Sequence, residues 1–185
     1  MYAAGPVLDL LNRFQPRDGA EAADVARIRE LAERTGDPWA RALPLHITAS
    51  ALIVHPATSR VLLRWHQRQQ AWLQVGGHGD PGESEPLDIA LREAREESAL
   101  TDLRPWPDAE LRQVTIVSVP ANTKEPAHQH ADLRFLLATG DPDAARPETP
   151  GNPLRWLPVA AAEQVTSEAN LRALLATVQD LFARS

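Results

Sequence analysis

The chain contains no cysteine among its 185 residues. That absence excludes disulfides, thiolate metal sites and cysteine nucleophiles, so any metal ion has to be held by histidine or carboxylate. No stretch approaches the roughly 20 apolar residues of a membrane span. The N-terminal stretch also lacks the basic flank and long apolar core of a signal peptide, so the expectation is a soluble cytoplasmic protein with no membrane partner. An excess of positive charge is missing too. The formal balance is -6, which disfavours nonspecific nucleic-acid binding, because that requires a basic surface to neutralise phosphates. An anionic small substrate would have to be escorted by metal ions and a few local arginines. What is present is ordinary globular composition, 43% hydrophobic and 24% charged, at a length that suits one domain with appended elements.

Residues 6–35 read as helical. Val7, Leu8, Leu10, Leu11 and Phe14 crowd a first segment, and Ala22, Val25, Ile28, Leu31 and Ala32 recur at helical spacing in a second. Pro16, Asp18 and Gly19 separate the two, and Gly36-Asp37-Pro38 ends the second. Residues 1–40 are thus expected to form a helical extension that serves packing or homodimerisation. From residue 41 the period changes. Short β-branched runs at 47–54 and 61–65 flank Pro56-Ala57-Thr58-Ser59 as a hairpin would, and 72–75 reads as a strand ending at glycines. A helix at 87–98, strands at 113–119, 129–138 and 154–157, and helices at 159–165 and 171–182 complete the reading. Strands on both sides of a central helix imply an α/β/α sandwich with a mixed sheet over residues 41–185.

The chemistry concentrates in Gly76-Gly77-His78-Gly79-Asp80-Pro81-Gly82-Glu83 and the helix that follows. At 3.6 residues per turn, Glu93, Glu96 and Glu97 fall within an arc of roughly 100°. Glutamates so spaced repel one another on an isolated helix by a few tenths of a kcal/mol per pair, so helix stability does not favour the cluster. A hard cation with oxygen ligands converts that repulsion into coordination. Taken alone, Arg-Glu-x-x-Glu-Glu reads as a salt-bridged solvent face; four glycines within seven residues just upstream favour close backbone approach to a bound group instead.

This segment resembles the Nudix box: Gly77, then Glu83, then Arg92-Glu93, Glu96-Glu97 and an apolar Leu100. It departs from the pattern twice. Eight residues rather than seven separate Glu83 from Arg92, and Ala99 stands where glycine is expected. A left-handed backbone costs an alanine about 1 kcal/mol or more, which points to a different helix end. The resemblance implies a Nudix-like α/β/α sandwich that hydrolyses a pyrophosphate linkage in a nucleoside diphosphate derivative, with Mg²⁺ or Mn²⁺ as cofactor. By position it makes Glu93, Glu96 and Glu97 metal ligands, joined by the Gly76 carbonyl and supported by Glu83, with Arg92 beside them. It also marks Glu148, in the loop before Leu154, as an additional acidic candidate for base or ligand.

Further candidates line up on a strand. With a period of two, His128, His130, Asp132 and Arg134 share one face. A histidine there suits a general base, and Arg134 suits a bidentate grip on phosphate. Arg64 and Trp72, on strands preceding the box, are candidates to contact a phosphate and a base or sugar, and His78 to hydrogen-bond substrate. His46, His55 and His66 suggest no site. Two rival readings remain. A nucleotide-sensing module would keep the domain without hydrolysis, although its usual sign, eroded glutamates, is absent. A zinc hydrolase using His128, His130 and Asp132 lacks further ligands, since Leu133 follows the aspartate and no histidine lies beyond His130. Isomerase chemistry on isoprenyl diphosphates resembles a pattern with a catalytic cysteine, which this chain does not have.

Overall fold

The computed structural model describes residues 4–121, 123 and 125–184. Its elements are α1 (Gly5–Arg13), α2 (Gly19–Arg34), β1 (Leu45–His55), β2 (Arg60–His66), β3 (Ala71–Leu73), β4 (Val75–His78), α3 (Pro86–Ser98), β5 (Arg104–Pro105), β6 (Gln113–Val119), β7 (His128–Ala138), β8 (Leu154–Pro158), α4 (Val159–Val165) and α5 (Ala169–Arg184). The strands form one eight-stranded mixed sheet. β1 and β7 run parallel at its centre, and the other pairings are antiparallel.

The alternation along β1 builds the layers. Ile47, Ala49, Ala51 and Ile53 point into one apolar cluster with Ile89, Ala90 and Ala94 of α3. Leu52 and Val54 point the other way, into a second cluster with Leu171, Leu174, Leu175 and Val178 of α5. The result is the expected α/β/α sandwich. Nearer the start of β1 that second face turns polar at His46, Thr48 and Ser50, of which Thr48 and Ser50 line a cleft. The parallel register sets His46 beside His130, Thr48 beside Asp132 and Ser50 beside Arg134.

Val7 and Leu11 of α1 and Ile28 and Ala32 of α2 lie in the same cluster as α3 and the sheet. The apolar positions that suggested a dimerisation surface are therefore spent within the chain. α2 also caps the sheet: Glu21 accepts from the Val114 amide at 3.0 Å, and Asp24 accepts from the Ile116 amide at 2.9 Å. These carboxylates satisfy backbone donors of β6 that would otherwise lack a partner.

Two local expectations are corrected. The strand at 72–75 does not end at the glycines; it breaks at Gln74, and Gly76, Gly77 and His78 form β4, paired with β1 through Ser50 and Gly76. Only glycine fits at 76, where φ is +146° and an added Cβ would lie 2.3 Å from the Ser50 side chain. Helix α3 does end in a left-handed residue despite the alanine: Ala99 has φ 58°, and its amide donates to the Arg95 carbonyl at 2.8 Å. The hydrogen bond and the burial of Leu100 offset the strain.

Candidate active site

Pro86 occupies the first turn of α3, where its missing N–H costs nothing. Three and a half turns then carry Arg92, Glu93, Glu96 and Glu97 past the glycine strand. Arg92 is the organiser. Its guanidinium donates to Glu83 Oε1 at 3.0 Å and Oε2 at 2.9 Å, to Glu93 at 3.1 Å, to Glu96 at 3.0 Å and to the His78 carbonyl at 2.8 Å. Glu83 also accepts from the Asp80 amide at 2.7 Å. The extra loop residue thus leaves Glu83 in reach of Arg92, and the paired hydrogen bonds hold its carboxyl below the usual range.

Glu93 and Glu97 face the glycines. A Cβ on Gly77 would come within 2.7 Å of the Glu93 carboxylate, so a side chain there would push that carboxylate aside. Glu97 is 8% exposed and accepts from the Gly76 amide at 3.1 Å. It pairs with Arg64 Nη2 at 3.2 Å, and Glu148 lies 3.9 Å from the same nitrogen. Arg64 Nε is buried with no hydrogen-bond partner among the described residues. Burial raises the pKa of Glu93 and pushes Glu97 up to about 7, because neighbouring positive charge does not repay the lost hydration. Clustered oxygen donors short of cations suit a hard divalent ion such as Mg²⁺ or Mn²⁺, so the residues present fit the group the family resemblance implies.

The raised pKa has a measurable sign. Between pH 4.5 and about 7 the folded chain keeps a proton on Glu97 that the unfolded chain has released. That contribution is complete below pH 4.5 and is lost as pH rises through about 7. The gap is worth about 3 kcal/mol at most. His78 and His130, whose pKa values burial lowers to about 3 and about 4, act with the opposite sign, contributing stability that is lost as pH falls below 6.5. The Glu97 contribution is therefore read as a difference. In chelator-treated protein, the unfolding free energy of Glu97→Gln relative to wild type should rise by about 1–3 kcal/mol between pH 4.5 and 7.5. A pH-independent difference in urea denaturation would contradict the burial of this carboxylate.

On the other side of the glycine strand lies an open cleft of about 730 Å³, lined by Thr48, Ser50, Gln74, Gly76, Gly77 and the polar face of β7, among others. Asp132 and Arg134 do meet there, but they face each other. Arg134 Nε donates to Asp132 at 2.7 Å and its Nη1 donates to Gln113 at 3.0 Å and Asn170 at 3.3 Å. Asp132 also accepts from Thr48 at 3.0 Å and Ser50 at 2.9 Å. At 3% and 6% exposure they form a buried structural pair, so the expected phosphate grip of Arg134 and substrate contact of Asp132 would have to break these bonds. The same contacts remove Asp132 from the zinc-hydrolase ligand set.

His78, His128 and His130 line the cleft. His46, passed over in the sequence, is 1% exposed and joins them, its Nε2 3.0 Å from that of His78. His46, Thr48 and Ser50 alternate with apolar Ile47, Ala49 and Ala51; that period of two was the signal available for them. Trp72 lies away from the cleft-lining residues. It packs against the α5-side cluster and edge-on to Trp65 at 5.5 Å, with the Arg155 guanidinium 4.9 Å from its ring centre. Arg64 likewise belongs to the carboxylate cluster and not to the cleft wall. No described helix is long and apolar enough to cross a membrane.

The chain is similar to known proteins. A probable DHNTP pyrophosphohydrolase of Lactococcus lactis subsp. cremoris is 34% identical over 108 residues, an alignment covering 57% of this chain and 61% of that relative. Two solved structures share the fold. A C. elegans Ap4A hydrolase binary complex has a TM-score of 0.59 at 22% identity, over 75% of this chain and 98% of that one. The E. coli dihydroneopterin triphosphate pyrophosphohydrolase has a TM-score of 0.51 at 20% identity, over 73% and 94%. The NUDIX domain model matches residues 44–178, which is more than half of the sequence, and the chain therefore belongs to the NUDIX family.

Proposed function

We propose that the chain is a metal-dependent pyrophosphohydrolase that cleaves a phosphoanhydride bond in a small nucleoside or pterin di- or triphosphate derivative by water attack on phosphorus. One observation carries the reading: Glu97, buried, and Glu93, half-buried, press against a strand of bare glycines that also lines the cleft. Glu93, Glu96 and Glu97 would hold Mg²⁺ or Mn²⁺, with the Gly76 carbonyl as a further ligand and Glu83 supporting the set through Arg92. When bound, the ion neutralises phosphate oxygens and lowers the pKa of water.

The protein's own groups do the rest. Arg64, paired with Glu97 through Nη2, would turn its guanidinium to a phosphate oxygen beside that carboxylate. Glu148 is half-exposed and makes only a long contact to Arg64, so it can take the water's proton without giving up a structural bond. Burial brings His130 down to about 4, which makes it a weak proton acceptor at neutral pH and argues against His130 as the base. His78 is equally depressed, to about 3.

The names of the relatives choose the test. Diadenosine polyphosphates, dihydroneopterin triphosphate, nucleotide sugars and oxidised nucleoside triphosphates would be incubated with Mg²⁺ or Mn²⁺ and scored for released phosphate, pyrophosphate or nucleoside monophosphate. Turnover of one class, abolished by chelator and restored by metal, is expected. Tight binding of a nucleotide without turnover of any would replace the enzyme by the nucleotide-sensing module.

A further inference from the structure

Three strands bring histidines to one point at the base of the cleft. His46 of β1 sits beside His130 of β7 in the parallel register, and His78 ends β4 across from Thr48. One ring nitrogen from each of the three lies within 4.8 Å of the others. His128 adds a fourth ring, with its Nε2 3.1 Å from that of His130. The glutamate chemistry uses none of these side chains.

Two of the rings, His46 and His128, are oriented from behind. His46 Nδ1 faces the Leu43 carbonyl at 3.0 Å, and His128 Nδ1 faces the Pro126 carbonyl at 2.9 Å. A carbonyl only accepts, so each Nδ1 carries its proton and each Nε2 presents a lone pair inward. Backbone anchoring of the far nitrogen is how metal-binding histidines are commonly held. Two nitrogens at ~2.1 Å from a tetrahedral ion are about 3.4 Å apart. The His46–His78 pair stands at 3.0 Å and the His128–His130 pair at 3.1 Å.

We infer that His46, His78 and His130 bind one divalent transition-metal ion, of the Zn²⁺ class, at a site separate from the carboxylate cluster, with the fourth position reached by His128 or by a ligand atom in the cleft. Neutral imidazoles favour such an ion over Mg²⁺, which prefers oxygen. The ligands that the sequence did not supply downstream of His130 come instead from upstream strands, and the aspartate of that pattern is used elsewhere.

The site is tested on the full chain with excess Mg²⁺ present to occupy the carboxylates. Calorimetric titration with Zn²⁺ should show one equivalent bound in the micromolar range or tighter, and Co²⁺ should give the intense visible spectrum of a tetrahedral nitrogen site. His78→Gln with His130→Gln, both at half-buried positions, should weaken Zn²⁺ more than about 100-fold, whereas Glu97→Gln should leave it unchanged. The wild-type Co²⁺ spectrum does not depend on any variant folding. Absence of Zn²⁺ and Co²⁺ binding under these conditions, or binding lost in Glu97→Gln and kept in the double histidine variant, would overturn the assignment.

Discussion

Replacing Glu97 with glutamine is expected to lower kcat about a thousandfold at saturating Mg²⁺, the kinetic equivalent of about 4 kcal/mol of transition-state stabilisation. Glutamine keeps the size of the side chain and an oxygen to accept from the Gly76 amide, so β4 should stay in place. What it removes is charge, and with it the proposed metal ligand and the ionic partner of Arg64. Because the carboxylate is buried at a cost, the variant should be no less stable than wild type above pH 7 without metal, while losing the stabilisation that Mg²⁺ gives wild type. Lower activity in a protein of equal or higher metal-free stability separates a chemical role from a structural one. Turnover unchanged in this variant, on a substrate the wild type cleaves, would remove the glutamate cluster from the mechanism.

Much of this was legible in the sequence, because the strongest signals are periodic. The strand at 113–119, the hairpin around Pro56 and the helix carrying Glu93 to Glu97 all follow from spacing, and the structure places them as spacing requires. The carboxylate cluster was legible too, but only with the glycine-rich run before it, because alone the pattern reads as a salt-bridged solvent face. Partnership across strands was not. Arg134 looked available for phosphate because its strand face was polar, but the register that sets Asp132 beside Thr48, and Gln113 beside Arg134, exists only once the sheet is paired. His46 was dismissed for the same reason: a lone histidine near the start of a strand acquires meaning only when parallel pairing sets it beside His130. Arg92 was read only as lying beside the glutamates, and the structure gives it Glu83, Glu93, Glu96 and the His78 carbonyl as partners. Gly76 was read as part of a turn, since no sequence pattern shows that the backbone of Ser50 would pass 2.4 Å from an added methyl.

The second large effect concerns the pair that the cleft hides. Asp132→Ala should destabilise the chain by about 3–5 kcal/mol, because it leaves the Arg134 guanidinium buried and uncompensated. At this chain length that corresponds to a fall in Tm of roughly 10 °C. Thr48 and Ser50 lose their acceptor as well, which adds to the cost. Arg134→Ala should cost a comparable amount by stranding the aspartate. The double variant should cost clearly less than the two singles together, since removing both charges leaves polar groups that water in the cleft can reach. If the pair instead existed to bind substrate phosphate, Asp132→Ala would free the guanidinium, lower KM and leave Tm nearly unchanged. Thermal unfolding of the four proteins in the cycle, measured beside KM, distinguishes the two roles. The buried geometry, with both side chains closed onto Gln113, Asn170, Thr48 and Ser50, favours the structural one.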